Sequence, residues 1–554
     1  MKMKSMHRAL LLSVLLFPAS LWQGVSDQVR GFTVYGVTPF QRATYQYVPS
    51  QEERIDKIAL AAAPGEYEPA TFSIYARRDL MDVSVDAGEL RCGKRVIPRL
   101  NIDVRVVKVR RQPGDNVPFE PEHEMEAPEL LVYDDFAVLK GRRPSVGEVP
   151  VVKTSIAQGT SKQFWVTVNV PAAAAAGVYT GALDVYIGGK KAAGIPLEVE
   201  VLPFQLVRPR QDFLIYYRAN LEPKSGPEYE TWTDFVKQLR NIKEHGFTGA
   251  SIFSSEQHLP AILKEYEAIG FSSPIPYLGR TKGVAEVEQI VRDSGPLRLV
   301  YYGIDEPNNP ASAEACRKLF REIKAGGGTT VTAVMKQYAD VIWDSIDIPN
   351  YSMCDPGIDG YIKGLSEGRL KKNPKREWYY WQIMKERPKT ARLMCGFYLW
   401  KSKLDGIFPY CYQMINTADP YDDFTPWEWR GYKWRPHLVT YPSKEGPIDT
   451  LQWEACREGI DDMKYVATLE DTVRRMKNMR SFLRLRGMGM VGEDPRLARL
   501  DRLIADSEKV LKEVDARIDP DCLKALEKLK EKDLIEFRER ITREISRGVE
   551  ELKE

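Results

Sequence analysis

Three stretches with different hydrophobic periods predict a multidomain chain: an N-terminal antiparallel β-sandwich, a central (β/α)8 TIM-type barrel and a C-terminal helical hairpin. Short alternating segments run from residue 31 to 206, strands alternate with helical stretches from 211 to 450, and a charged helical pattern fills 451–554. A length of 554 residues also exceeds what one hydrophobic core organises.

The first segment has the physical character of an export signal. Lys2, Lys4 and Arg8 make a positive start, Ala9 to Phe17 is apolar, and Pro18, Ala19 and Ser20 follow. The apolar run is too short to span a bilayer. We read 1–24 as a signal peptide, and expect a secreted or periplasmic protein with no membrane span in the mature chain. An uncleaved N-terminal anchor is the alternative. The 80 basic and 78 acidic side chains balance, which gives no reason to expect nucleic acid as a partner. Seven scattered Cys and five His form no metal-ligand spacing, so no metal is expected.

In the first domain, Phe164, Val166, Val168 and Val170 alternate on one face of a strand, and residues 178–187 and 195–202 follow after turns. Residues 207–210 read as a linker. The barrel strands are expected at 213–217, 249–253, 275–278, 297–304 and 329–334, then 341–343 or 348–352, then 378–382 and 407–413. Helices are expected at 232–244, with Trp232, Phe235, Val236, Leu239 and Ile242 on one face, and at 311–324. Strand–helix alternation favours right-handed parallel units, and about eight of them favour closure. In the tail, Leu497 to Ile518 and Leu526 to Ile545 each carry a helical stripe, broken at Asp519-Pro520. The hairpin packs on the barrel or a partner subunit, or, as the preferred reading, is a solvated appendage. Glu454, Arg457, Glu458, Asp461 and Asp462 read as helix N-terminal charge and surface pairing.

Active sites of such barrels lie at the C-terminal strand ends. Strand four runs into Gly303-Ile304-Asp305-Glu306-Pro307, two carboxyls where buried charge needs a task. One protonated and one ionised carboxyl are what glycosidic cleavage requires. Pro307 is expected to hold Glu306 extended. Alternation would send adjacent side chains to opposite faces, so the strand must bend or end here. The competing reading has Asp305 or Asn308 capping the next helix. Arg218, Tyr338, Tyr380, Trp381, Gln382, Trp400 and Tyr412 are further candidates to bind substrate, because each lies at or beyond an expected strand end; Tyr410 flanks the eighth. Trp427, Trp429 and Trp434 are candidates for a cleft wall.

Three motifs resemble glycoside hydrolase family 123 and its wider relatives: Pro64-Gly65-Glu66-Tyr67-Glu68, then Gly303 to Pro307, then Tyr441-Pro442 with Leu451 to Asp462. The resemblance spans about residues 30–470. It implies a β-sandwich followed by a barrel and retaining β-N-acetylgalactosaminidase activity, in which the substrate's own 2-acetamido oxygen attacks the anomeric carbon. It implies Glu306 as acid/base, Asp305 as the group that orients the acetamido nitrogen, a carbohydrate partner, and no cofactor. A glycosidase for a non-acetamido sugar and a non-catalytic carbohydrate-binding surface protein stay open beside it.

Overall fold

The computed structural model describes residues 30–41, 43–136, 150–279, 283–353, 355–384, 386–415, 417, 419–429, 431–443, 445–486 and 495–553. The expected signal segment 1–24 and Cys354 lie outside the described residues.

The alternating N-terminal segments form two sheets over one core. In the first, the strands Phe32–Gly36, Tyr67–Ala76, Ser161–Asn169, Ile102–Gln112 and Met125–Val132 lie side by side, all antiparallel. The second is centred on Gly177–Ile187 and Lys190–Val201. Phe164, Val166, Val168 and Val170 are fully buried in the shared core, as their alternation requires, and the Phe72 and Phe164 rings stack at 5.1 Å. One pair departs from the antiparallel expectation: Ile58–Ala62 lies parallel to Lys190–Val201. The chain then crosses at Pro64-Gly65 into the other sheet, so no hairpin fixes that strand's direction. The central strand is buried on both faces. Trp165 points away from the sandwich core and packs with Phe40 into the cluster that includes the barrel, so the sandwich is fused to its neighbour through an apolar face.

The eight barrel strands are, in order, Asp212–Ile215, Gly249–Ala250, Ile275–Tyr277, Leu299–Tyr302, Thr330–Val334, Ile348–Ser352, Trp378–Tyr380 and Gly406–Ile407. All pair in parallel in the spatial order two, one, eight, seven, six, five, four, three. Among the described residues, strands two and three are joined by the isolated Ile252–Tyr277 bridge, so the barrel is nearly closed. Residues 348–352, not 341–343, supply strand six. Strand eight is shorter than expected because Pro409 cannot extend the ladder. The helix Trp232–Glu244 buries Phe235, Leu239 and Ile242 and is capped by Thr231, although Trp232 stays 41% exposed. The helix Pro310–Ala325 is capped by Asn309 in a box with Ser312. Neither Asp305 nor Asn308 caps it, so Asp305 does not serve in that role.

The C-terminal region differs from the hairpin expected. Leu451–Arg486 is one 36-residue helix, followed by Pro495–Arg517, Cys522–Lys528 and Glu531–Lys553. It is not a solvated appendage: Leu534, Phe537, Ile541 and Ile545 are fully buried in the same cluster as the barrel. The acidic and basic cluster at 454–462 is not surface pairing either. Asp462 is fully buried and receives two bonds from Arg392 and one from Arg538 (2.6–3.1 Å). Arg538 also bonds Glu458 and reaches Glu68, and the Tyr465 hydroxyl donates to Glu66. The first and third motifs thus meet in one buried seam between sandwich, barrel and terminal helix. Helical periodicity could not reveal this, because Arg392 and Arg538 reach Asp462 and Glu458 from 70–80 residues away.

Candidate active site

Strand four ends at Tyr302, and the next four residues are held by strand five. Gly303 N–H donates to Val331 O at 2.9 Å, Thr332 Oγ1 donates to Ile304 O at 2.7 Å, and Glu306 N–H donates to Ala333 O at 3.1 Å. The regular pleat is over, so the alternation that would separate the two carboxyls no longer applies. Glu306 is not extended, as Pro307 led us to expect; its φ is +45°. That left-handed conformation is costly for a residue with a side chain. It is what allows Asp305 and Glu306 to line one cavity of ≈ 660 Å³.

The cavity floor is phenolic. Tyr216 donates to Tyr302 at 2.5 Å, Tyr302 donates to Asp305 Oδ1 at 2.7 Å, and Tyr380 donates to Glu306 Oε1 at 2.5 Å. Burial raises all three phenols well above their ordinary range, and the neighbouring carboxylates add to it: Asp305 for Tyr216 and Tyr302, Glu306 for Tyr380. They remain neutral donors. Arg218 lines the wall, paired with Glu228, bonded to the Tyr410 hydroxyl at 3.2 Å and 5.3 Å from the Phe253 ring. Trp427 and Trp434 come from the small hairpin Trp427–Trp429 and Tyr432–Trp434. The sandwich domain extends that hairpin: Pro118 bridges Trp434, Phe119 N–H donates to Lys433 O, and Val117 reaches the cavity. Arg435 locks the join. It is 1% exposed, forks onto Glu386 at 2.6 and 3.2 Å, and bonds Gln112 and Gly114 O.

A cavity of this size, with two carboxyls on phenol donors and flat rings in its wall, suits a pyranose. Two descriptions of one family match the chain: "Glycoside hydrolase 123, catalytic domain" over residues 281–469, and "Glycoside hydrolase 123 N-terminal domain" over 44–187. Together they span more than half of the sequence. The protein belongs to glycoside hydrolase family 123. A solved family 123 glycoside hydrolase from Clostridium perfringens, described for glycolipid glycan hydrolysis, superposes with a TM-score of 0.58 over 88% of this chain and 99% of its own, at 10% identity. That likeness is one of fold. A Bacteroides ovatus GH5 xyloglucanase covers 74% of this chain and 99% of its own at 10% identity, but its TM-score of 0.30 supports no comparison. No curated protein matches the sequence.

Within this family 123 chain the structure brings together Asp305, Glu306, Arg218, Tyr380 and Gln382, with Tyr410, Trp427 and Trp434. Four expected binding residues lie elsewhere. Trp381 is one residue out of phase with Tyr380 and Gln382, and faces the helices beside Tyr379. Trp400 sits on the outer helix Phe397–Ser402 and donates to Glu470. Tyr412 lies past the short eighth strand, buried against Trp453, with its hydroxyl on Asn241. Tyr338 stays outside the cavity but donates to Asn308 O at 2.6 Å, bracing the loop that carries the acids. The side chain of Trp429 lies outside the described residues. Sequence reading missed Tyr216, Tyr302, Phe253 and His437, all cavity residues. Period-two counting could have found the first two: Tyr216 shares a parity with Arg218, and Tyr302 with Val300 on the inner face. His437 comes from a loop with no period to read.

Among the described residues, one trio has ligand atoms close enough for a metal: His245, Asp449 and Glu454. None lines the cavity. Asp449 already pairs with Arg105 at 2.8 Å and Glu454 with Arg457, so fixed cations serve these carboxylates.

Proposed function

We propose that the protein is an exported retaining glycosidase that removes a β-linked 2-acetamido sugar, GalNAc-like, by substrate-assisted hydrolysis. The observation that supports this reading most directly is the opening of both Asp305 and Glu306 into one aromatic-walled cavity. The positive, then apolar, start of the chain supports export. A glycolipid glycan, the substrate class described for the Clostridium perfringens relative, is a natural candidate.

In this reaction Glu306, protonated, gives its proton to the glycosidic oxygen as the bond to the anomeric carbon breaks. The acetamido oxygen attacks that carbon from the opposite face and closes an oxazolinium ring. Asp305, ionised, accepts a hydrogen bond from the acetamido N–H and stabilises the positive charge that grows there. Glu306, now a carboxylate, takes a proton from water, and the water oxygen opens the ring with overall retention. Two neighbouring carboxyls match the divided task of one proton donor and one acceptor. Tyr302 and Tyr380 hold one carboxyl each.

The test is a screen of the purified protein against chromogenic β-glycosides, with Glu306→Gln as the control. Turnover of a 2-acetamido glycoside, lost by several orders of magnitude in Glu306→Gln with folding unchanged, is expected. Failure of both a 2-acetamido glycoside and a thiazoline inhibitor to bind would favour another sugar. Unchanged sugar binding and no turnover by the parent protein would favour a carbohydrate-binding role.

A further inference from the structure

We infer that Tyr302 is a positioning residue for hydrolysis, the last link of a hydroxyl chain that commits Asp305 to the role of hydrogen-bond acceptor. The inference rests on the glycosidase reading above and adds to it what keeps the two acids in different roles.

A phenol hydroxyl has one proton to give and two lone pairs to fill. Both acceptor positions on Tyr302 are taken: Tyr216 O–H donates at 2.5 Å and Ala333 N–H at 3.1 Å. Its single proton therefore has one destination, Asp305 Oδ1 at 2.7 Å. A proton on Oδ1 would meet another proton there, so the arrangement favours the carboxylate and fixes its aim. The rings that carry these hydroxyls have little room to move. Tyr216 stacks on Phe408 at 3.7 Å and meets Tyr302 edge-on at 5.8 Å, and Tyr216 and Tyr302 are 5% and 8% exposed.

The place is unusual for polar groups. The inner face of such barrels is normally filled by branched apolar side chains, and buried hydroxyls are tolerated when their bonds are complete. Here the chain of bonds is complete and leads to one carboxyl. Ala333 ties it to the second acid: its N–H holds Tyr302, while its C=O accepts from Glu306 N–H. Glu306 has its own phenol, Tyr380, from strand seven. The two acids are thus held by separate donors on separate strands. The other charged or titratable groups around the cavity are Arg218, already paired with Glu228, then Tyr410 and His437.

The experiment compares Tyr302→Phe, Tyr216→Phe and Tyr380→Phe in the full chain, reading kcat, KM and the pH profile of kcat/KM on an aryl 2-acetamido β-glycoside. Tyr302→Phe is expected to lower kcat about 10–100-fold, with KM nearly unchanged. Removing a donor to the carboxylate disfavours its ionised form, so the acidic limb moves to higher pH while the basic limb stays. Tyr216→Phe moves the same limb less, and serves if Tyr302→Phe folds poorly. Tyr380→Phe moves the basic limb instead. The pH dependence of thiazoline binding reads the same acid without turnover. A folded Tyr302→Phe whose acidic limb stays in place overturns the inference, as does one that moves the basic limb as Tyr380→Phe does. If Glu306→Gln abolishes turnover while Tyr302→Phe leaves the limb unmoved, this inference fails and the glycosidase reading stands. If Glu306→Gln is fully active, that reading fails first.

Discussion

Gly303 is where the barrel's packing reaches the catalytic loop most directly. It follows strand four and precedes Asp305 by two residues, and its α-carbon lies against the helix Pro310–Ala325. A Cβ placed there would stand 2.7 Å from Phe320 Cζ, closer still to Cε1, and 3.2 Å from Cys316 Sγ. Carbon atoms rest at about 3.5–4.0 Å, so Gly303→Ala needs roughly 1 Å of movement. Phe320 and Cys316 are fully buried and cannot swing into solvent. The loop must move instead, and it carries both acids. Overpacking of this kind costs about 1–3 kcal/mol, and a shift of about 1 Å at reacting groups costs on the order of 100-fold in rate. Gly303→Ala should therefore lower kcat/KM on a chromogenic glycoside about 100-fold. The thermal midpoint should fall by roughly 2–4 °C per kcal/mol lost, the scale for a domain of the barrel's size. Phe320→Leu removes the obstructing ring edge, so the double variant should recover activity beyond the sum of the single effects. Gly303→Ala with parental activity and midpoint, or a double variant that is simply additive, would refute the argument that loop placement depends on this contact.

Other perturbations test other links. Arg538→Met leaves Asp462 and Glu458, buried at the seam, without their shared cation; denaturant unfolding should show a loss of about 3–5 kcal/mol, and a loss under 1 kcal/mol would return the terminal helix to the status of an appendage. Glu66 is pushed up to about 8, first by burial and then by the charge of Asp461. Its folded form holds a proton that the unfolded chain releases near 4.5, so the stability it contributes is full below that pH and is lost as pH rises to about 8. Thermal midpoints across this window should decline less steeply in Glu66→Gln; parallel curves would discount the residue. Trp434→Ala should raise KM about 10-fold, near 1.4 kcal/mol, whereas Trp400→Phe, on the outer helix, should leave kinetics unchanged; the reverse pattern in a substrate titration would misplace the sugar.

What the sequence revealed of this molecule follows from the range over which each signal acts. Periods of two and 3.6 are local, so the sandwich strand around Phe164 and the helix at Trp232–Glu244 could be read directly. The acids could be placed because a strand end is also local: Leu299–Tyr302 stops where Pro307 and the glycine allow it to stop. The binding residues were legible only where parity was respected. Tyr380 and Gln382 share a face and both reach the cavity, while Trp381 between them cannot. Choosing residues by type at a strand end, without counting inward and outward positions, selected Trp381 and Tyr412 and passed over Tyr302. The charge cluster at Glu454–Asp462 was misread for a different reason. A run of charges on a helix is normally solvated because each would need a buried partner, and here Arg392 and Arg538 come from elsewhere in the chain to Asp462 and Glu458, His245 lies beside Glu454, and Arg457 and Lys464 pair locally with Glu454 and Asp461. The seam and the catalytic cavity therefore solve the same electrostatic problem with different means. At the seam, Arg392 and Arg538 pair with Asp462, while Glu66 keeps a proton. In the cavity, Tyr302 and Tyr380 donate to Asp305 and Glu306; a neutral phenol orients a carboxyl without placing a cation against it.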